Sequence, residues 1–184
     1  MAKEKKTYWL GSLKVTLVDA DAAEQACDAI ITAVDCGGMW SGGVNSAVNS
    51  LGGPEFHRLA REYPARFNGD SIIFRRIREH TGGFRDVIVM YDGLTCPLGG
   101  MVVTALSTAD YAGLKVVCLP ALRTGSRLGR FEPDVSAVVR EIVTALKNVA
   151  ARHRQALQEV IVAVRGNKEV FVTLAYDLER AQFG

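Results

Sequence analysis

A short apolar run that ends at a glycine-rich loop is the feature that most constrains this chain. Residues 29–34 (Ala-Ile-Ile-Thr-Ala-Val) have the pattern of a strand covered on both faces, and the run stops at the polar residue Asp35. Four glycines, at 37, 38, 42 and 43, occupy the next loop, and a helical pattern begins near Val44. Glycine lets a backbone approach a ligand closely, and a helix start presents unpaired N–H groups. This order of elements predicts a site for a phosphate or diphosphate.

Composition limits the class of protein. The chain has 184 residues, of which 48% are hydrophobic and 23% charged, the balance of one globular domain with a single core. We expect a disordered basic tail over residues 1–7 and one domain over residues 8–184. The formal net charge of +2 does not indicate nucleic-acid binding. No apolar stretch approaches the roughly 20 residues of a membrane span, so we expect no membrane segment. We also expect the protein to be a cytoplasmic monomer.

The cysteines and histidines give no indication of a metal or redox centre. The four cysteines lack the short paired spacing of a zinc or redox motif, and Cys27 and Cys118 lie beside or inside apolar strands, as small core residues do. The three histidines are scattered through polar segments, which favours surface positions. We therefore expect neither a metal nor a cofactor.

Apolar periodicity predicts strands that alternate with helices. Strands are expected at 8–10, 13–18, 29–34, 71–77, 86–91, 115–119 and 159–164. Helices are expected after the turn at 19–21, at 44–51, 54–62, 98–111 and 133–152, and, from an ambiguous pattern, at 168–181. This alternation predicts an α/β fold, a three-layer α/β/α sandwich with a mixed, mainly parallel central sheet. Ligands of such sheets bind beyond the carboxyl ends of strands, and the glycine-bearing loops after Val34 and Leu119 both leave such ends.

Two motifs and one spacing in this chain match a combination found in a known protein family. Thr32-Ala-Val-Asp35 stands in the place of the family's Asn-Ala-Ala-Asn strand end, and Trp40-Ser-Gly-Gly43 followed by Val44 stands in the place of its glycine run. Asp21 lies seven residues before Asp28, the family's spacing between a turn aspartate and the strand start. Leu119-Pro-Ala-Leu-Arg-Thr-Gly125 matches the second motif, Pro-Ala-Ile-Ser-Thr-Gly after a strand. These residues resemble the motifs of the macrodomains, a family of ADP-ribose-binding modules. The resemblance covers residues 13–182 and implies the macrodomain fold.

The chain departs from the family pattern at several positions in or near these motifs. The replaced family positions are Thr32, Asp35, Asn45, Asn49, Arg123, Val164 and Arg165. Asp35 stands where the family usually has Asn, and Asn45 stands where its hydrolases usually have Asp. The amide and the carboxylate have therefore exchanged places.

The resemblance implies that ADP-ribose or a related ADP-ribosyl derivative binds in a cleft between the two loops. The residues expected to contact it are Asp21, Ala22, Asp35, Gly42, Gly43, Val44, Asn45, Arg123, Thr124, Gly125, Ser126, Arg127 and Arg165. Asp21 would accept a hydrogen bond from the adenine amino group, or serve as an ordinary helix N-cap. Backbone N–H groups of residues 42–44 would hold the diphosphate, with Gly125 and Ser126 on its other side.

Several of these residues have alternative roles. Asp35 is expected at the distal ribose as a hydrogen-bond acceptor, as a group that orients a water, or as a strand-end cap. Arg123 and Arg127 would bind phosphate, offset the charge of Asp35, or form a solvated basic loop. Arg165 would stack on the adenine or lie on the surface. Trp40 would cover the ligand or anchor its own loop.

Three functions remain open at this point. The leading hypothesis is binding of ADP-ribose or a derivative. The first alternative is a hydrolase that removes ADP-ribose from protein or nucleic acid, or the acetyl group from O-acetyl-ADP-ribose, with Asp35 and Asn45 as its catalytic pair. The second alternative is an interaction module that has lost nucleotide binding.

Overall fold

In the part of the chain that the structure describes, a mixed sheet of seven strands forms the centre of the molecule. The computed structural model describes residues 4–35, 43–63, 67, 69–76, 78–124, 131–152 and 154–183. Its strands are β1 (Lys5–Leu10), β2 (Leu13–Asp19), β3 (Cys27–Val34), β4 (Ser71–Phe74), β5 (Phe84–Tyr91), β6 (Val116–Pro120) and β7 (Glu159–Val164). Their order in the sheet is β1-β2-β7-β6-β3-β5-β4.

The interior of the sheet is parallel and its two edges are antiparallel. β2, β7, β6, β3 and β5 pair in parallel, with Val15 opposite Val160 and Ile31 opposite Ile88. β1 runs antiparallel to β2, and β4 runs antiparallel to β5. The carboxyl ends of the parallel strands therefore lie together at one edge of the sheet, where ligands of α/β proteins bind.

Helices cover both faces of the sheet. They are α1 (Gly43–Gly52), α2 (Glu55–Glu62), α3 (Leu98–Tyr111), α4 (Val135–Ala150) and α5 (Lys168–Phe183), with a 3-10 helix (Ala22–Glu24) after β2. One buried cluster joins a sheet face to α3, α4 and α5 through residues such as Ile142, and a second joins α1, α2 and the 3-10 helix through residues such as Phe56. The predicted three-layer sandwich is confirmed. Within the described ranges, none of these helices is long and apolar enough to span a membrane.

The amino-acid pattern explains the longest helix on the α3–α5 face. α4 repeats apolar residues every three to four positions, and the resulting stripe is buried against the sheet and α3. Asp134 begins it as an N-cap, since its side chain accepts a hydrogen bond from the N–H of Ala137 at 2.8 Å. The ambiguous segment after Asn167 also forms a helix, as predicted, and α5 buries Leu174 and Leu178 on one side.

Two predicted boundaries differ from the structure by three residues. Residues 5–7, expected within a disordered tail, form the first half of β1 because they pair in register with β2. β4 ends at Phe74 instead of continuing toward residue 77, because the backbone N–H of Arg76 donates to the Asp86 carboxylate at 3.0 Å. The Arg75 guanidinium donates to the same carboxylate at 2.7 Å. Both corrections depend on partners that are remote in the sequence.

Asp110, at the end of α3, fixes the loop that precedes β7. Its carboxylate accepts hydrogen bonds from the backbone N–H groups of Gln155, Ala156 and Leu157 at 2.7–3.1 Å. Burial raises the pKa of this carboxyl, but the backbone N–H groups lower it by more, and the net pKa lies below the usual value.

We predict that Asp110→Asn lowers the free energy of unfolding at pH 7 by about 1–3 kcal/mol, because these N–H groups lose a charged acceptor. Since the folded-state pKa is lowered, the carboxylate stabilises the fold above its ordinary pKa of about 3.9 and stops doing so as pH falls through the folded value. Urea unfolding should therefore show the wild type and variant converging below about pH 4. Glu179→Gln, at an exposed position of α5, is the control. If the difference in the free energy of unfolding between the wild type and Asp110→Asn stayed constant with pH, this explanation would be contradicted.

Candidate functional site

A cleft of about 640 Å³ lies at the carboxyl ends of the parallel strands. The described residues that line it are Ala20, Asp21, Ala22, Thr32, Ala33, Gly43, Val44, Asn45, Ala47, Asp92, Pro120, Ala121, Leu122, Arg123, Thr124, Ala163, Val164, Arg165 and Asn167. Each of the parallel strands β2, β7, β6, β3 and β5 therefore contributes residues at or just beyond its carboxyl end. The start of α1 forms part of the same wall.

Most of the predicted ligand-binding residues that the structure describes meet in this cleft. Those that line it are Asp21, Ala22, Gly43, Val44, Asn45, Arg123, Thr124 and Arg165. Asp35 is half-buried beyond the end of β3 and is not among the described residues of the lining. The remaining predicted residues, Gly42, Gly125, Ser126 and Arg127, lie outside the described residues, as does Trp40.

α1 begins in the cleft wall with a glycine in the left-handed backbone region. Gly43 has a φ of +53°, and a Cβ atom added there would meet no atom within 4 Å. A side chain at this φ would be strained, so the position favours glycine. The space in front of the backbone is open, and the first N–H groups of a helix have no partner within the helix. This helix start therefore offers the kind of donors that bind anions.

Asn45 ties α1 to the end of β3. Its side-chain N–H donates to the carbonyl oxygen of Ala33 at 2.9 Å, and its amide oxygen accepts a hydrogen bond from the Thr32 hydroxyl. Asn45 and Thr32 are both buried, and both stand at positions where the sequence departs from the family pattern. The two replaced residues are therefore hydrogen-bonded to each other, with Thr32 as donor and Asn45 as acceptor. The catalytic roles of Asp35 and Asn45 stay predictions.

Asp21 and Arg165 form an ion pair at one end of the cleft. One carboxylate oxygen of Asp21 accepts from the N–H of Ala23 at 3.0 Å and caps the 3-10 helix. The other accepts from Nη1 of Arg165 at 2.6 Å, although the Arg165 side chain is 77% exposed. Asp21 is therefore an N-cap, as one of the two predicted alternatives had it, and it also lines the cleft. Stacking of Arg165 on adenine stays a prediction.

Arg123 is buried, and its prediction as part of a solvated basic loop is wrong. Nε and Nη2 donate to the two carboxylate oxygens of Asp92 at 3.0 and 2.7 Å, and Nη1 donates to Glu132 at 2.8 Å. These three side chains are at most 3% exposed. Burial lowers the pKa of the guanidinium, but hydrogen bonds to both carboxylates raise it by more, and the net pKa is raised. The charge of Arg123 is thus compensated by Asp92 and Glu132.

This buried cluster connects the elements around the cleft. The backbone N–H of Asp92 donates to the carbonyl of Val34 at the end of β3, at 2.7 Å. Glu132 accepts a hydrogen bond from the N–H of Leu98 at the start of α3, at 2.8 Å. Arg123 itself has a φ of +58°, an uncommon value for a residue with a side chain. Its ion pairs therefore hold the loop after β6 in a backbone conformation that the residue type disfavours.

Among the polar residues that line the cleft, the sequence analysis did not name Asp92 and Asn167. Asp92 directly follows the buried strand β5, in the same relation that drew attention to Asp35 after β3. The sequence therefore contained the pattern, a polar residue directly after an apolar strand, from which Asp92 could have been predicted. Asn167 caps α5 by accepting from the N–H of Val170 at 3.1 Å. An asparagine before a helix is a common cap, so its sequence position carried no functional signal.

Comparison with known proteins identifies the family. No protein-family model matches the chain. A macro domain-containing protein of Streptomyces coelicolor is 30% identical over 145 residues, which are 73% of this chain and 86% of that protein. The chain belongs to the macrodomain family.

Two further matches extend this result. An uncharacterized protein of Mycobacterium tuberculosis is 30% identical over 165 residues, 84% of this macrodomain, which spans only 42% of that longer protein. The macrodomain of Trypanosoma brucei, whose structure was solved in complex with ADP-ribose, superposes with a TM-score of 0.76 at 19% identity. The superposition covers 88% of this chain and 68% of that one.

We predict that Arg123→Ala lowers the free energy of unfolding by about 3–5 kcal/mol, because it leaves Asp92 and Glu132 buried without their cation. Arg58→Ala is the matched control, since Arg58 pairs with Glu62 on α2 at 2.6 Å but both side chains are about half exposed, 52% and 49%. Exposed pairs contribute little to stability, so this control should unfold almost as the wild type does. Urea denaturation measures both variants, and equal losses would show that the buried cluster is not a stabilising centre.

Proposed function

We propose that this macrodomain binds ADP-ribose or a related ADP-ribosyl derivative in the cleft. The observation that carries the proposal is the position of the cleft, where all the parallel strands end beside the start of α1. The diphosphate would lie against that helix start, where Gly43 leaves open space and the first turn supplies N–H donors. The ADP-ribose complex of the Trypanosoma brucei macrodomain supports the same ligand class.

The order of the strands suggests how a linear ligand would lie. Asp21 and Arg165 stand at the ends of β2 and β7, whereas Thr32 and Asp92 stand at the ends of β3 and β5. Five neighbouring strands span about 19 Å at the usual spacing of about 4.8 Å. The cleft is therefore long enough for a base, a diphosphate and a terminal sugar in a row. We propose that the adenine lies at the β2–β7 end and the terminal ribose at the β3–β5 end.

We propose that the Asp21 carboxylate accepts a hydrogen bond from the adenine amino group. The N-cap bond to Ala23 fixes the orientation of its carboxylate. A carboxylate oxygen can accept more than one hydrogen bond, so the ion pair with Arg165 is compatible with this role. Arg165 lies beside it on the exposed side of the cleft, where its flat guanidinium would cover one face of the base.

The arrangement favours binding over hydrolysis. A hydrolase needs a group that activates water or a leaving group beside the ribose. The hydrolase hypothesis gives that role to Asp35 and Asn45, but the Asn45 amide is bonded to Thr32 and Ala33. Asp35 is not among the described residues that line the cleft. We therefore propose a binding module, and a turnover assay on ADP-ribosylated protein or nucleic acid separates it from the hydrolase.

The glycine that begins α1 provides the sharpest test. Titration calorimetry should detect ADP-ribose binding by the wild type and none by Gly43→Glu, because the new side chain fills the open space and its charge opposes the diphosphate. Gly11→Glu is the matched control. Gly11 lies in the turn between β1 and β2 with a φ of +58°, and a Cβ atom added there also meets no atom within 4 Å. The control thus adds the same charge and the same kind of strain away from the cleft.

The outcomes separate the hypotheses. Retained binding in folded Gly43→Glu, or equal loss in both variants, would rule out the helix start as the diphosphate site. If titration calorimetry detects no heat of binding for the wild type at millimolar ADP-ribose, the proposed function fails. The hypothesis of an interaction module that has lost nucleotide binding would then be favoured. Thermal melting of each variant shows whether its fold is intact.

A further inference from the structure

We propose that a second copy of this chain packs against the outer face of α5, with the two α5 helices antiparallel about a two-fold axis. The outer face is defined as the apolar stripe of Val172, Tyr176 and Phe183 together with the charged residues on its two flanks. The proposal goes beyond the proposed function. It also departs from the monomer expected from the sequence, because this face is recognised only once α5 has its place in the fold.

Three large apolar side chains lie exposed along one side of α5. Val172, Tyr176 and Phe183 are 55%, 59% and 80% exposed. At 3.6 residues per turn they lie within about 40° of one another around the helix axis. The opposite side of the helix is buried against the core through residues such as Phe171 and Leu174. Single exposed apolar side chains are common, but a continuous apolar stripe rimmed by charge is typical of a protein interface.

Four charged side chains flank the stripe, two on each side. Helical geometry places Glu169 and Arg180 about 40–60° to one side of its centre, and Lys168 and Glu179 equally far to the other. All four are exposed, and none is ion-paired with another described residue. Each flank thus has one acidic and one basic residue, separated by about 16 Å along the axis.

This arrangement of charge is complementary to itself under a two-fold rotation. A two-fold axis across the middle of α5 makes the two helices antiparallel and brings each flank against the same flank of the second copy. Glu169 then lies opposite Arg180 of the second copy, and Lys168 lies opposite Glu179 of the second copy. Each of the four charges therefore meets an opposite charge, and the opposed helix dipoles favour the same orientation. Charge complementarity thus identifies a second copy as the partner.

The contact is of modest size. α5 has 16 residues and is therefore about 24 Å long. In the antiparallel pair, Val172 lies level with Tyr176 of the second copy, so a small side chain meets a large one. One pair of helices buries less than a standard interface of about 1,600 Å², and we expect a dissociation constant on the order of 10 µM. Monomer and dimer should therefore exchange in the micromolar range.

Sedimentation velocity over a range of concentrations tests this directly. The wild type should shift from monomer toward dimer as its concentration rises from about 1 to about 300 µM. Tyr176→Glu places a charge in the centre of the interface and should raise the dissociation constant at least about 30-fold. Tyr111→Glu is the matched control. Tyr111 ends α3 and is 83% exposed, so the same substitution on another helix should leave the dissociation constant unchanged.

Charge reversal tests the antiparallel orientation. Glu169→Arg places like charges opposite each other twice, because of the two-fold axis, and should raise the dissociation constant about tenfold. Adding Arg180→Glu restores opposite charges and should bring the constant back to within about threefold of the wild-type value. A parallel dimer would instead be weakened further, because Glu169 would there face Lys168 of the second copy. The two reversals also oppose the helix dipole, so a merely structural loss would deepen in the double variant.

Each outcome decides the proposal. A wild type that stays monomeric up to about 300 µM overturns it. So does an equal effect of Tyr111→Glu, or a double variant that does not recover. Should Tyr176→Glu lack a cooperative melting transition, the charge reversals decide. The residues of the outer face lie outside the described lining of the cleft, so the folded variants should bind ADP-ribose as the wild type does. A wild type that dimerises but does not bind ADP-ribose would overturn the proposed function alone.

Discussion

The buried bidentate ion pair between Arg123 and Asp92 holds together the edge of the sheet where the cleft lies. It joins the loop after β6 to the end of β5, and Asp92 is in turn bonded to Val34 at the end of β3. Glu132 extends the connection to the start of α3. Removing one member of such a cluster leaves buried charge without a partner, which is strongly destabilising. The shape of the cleft therefore depends on internal charge pairing as well as on the flexibility of glycine.

This pairing also changes how the cleft would recognise an anion. An arginine in a loop beside a glycine-rich site suggests direct phosphate binding, but Arg123 is committed to carboxylates in the interior. The remaining positive element in the described wall is the helix start at Gly43, whose N–H groups act through fixed geometry. Recognition by oriented backbone dipoles suits a diphosphate held between two uncharged ends.

The sequence predicted the elements whose patterns are local and regular. The apolar stripe of α4 and the continuous apolar runs of the central strands indicated the sandwich. The family resemblance predicted Asp21 and Gly43 as ligand contacts, and both residues line the cleft. The burial of Arg123 could not be predicted in this way, because its partners lie 31 and 9 residues away along the chain. A side chain's exposure depends on such remote partners. The early end of β4 at Phe74 has the same cause, because the backbone N–H of Arg76 donates to Asp86 of β5.

A crystal structure of the protein with ADP-ribose tests the central claim most directly. The account predicts the diphosphate at the N–H groups of the α1 start, the adenine beside Asp21 and the terminal ribose toward Asp92. It also predicts that Arg123 keeps both of its hydrogen bonds to Asp92 in the complex. A nucleotide bound outside the cleft or in the reverse direction would contradict the account. So would an Arg123 side chain withdrawn from Asp92 to contact the phosphates.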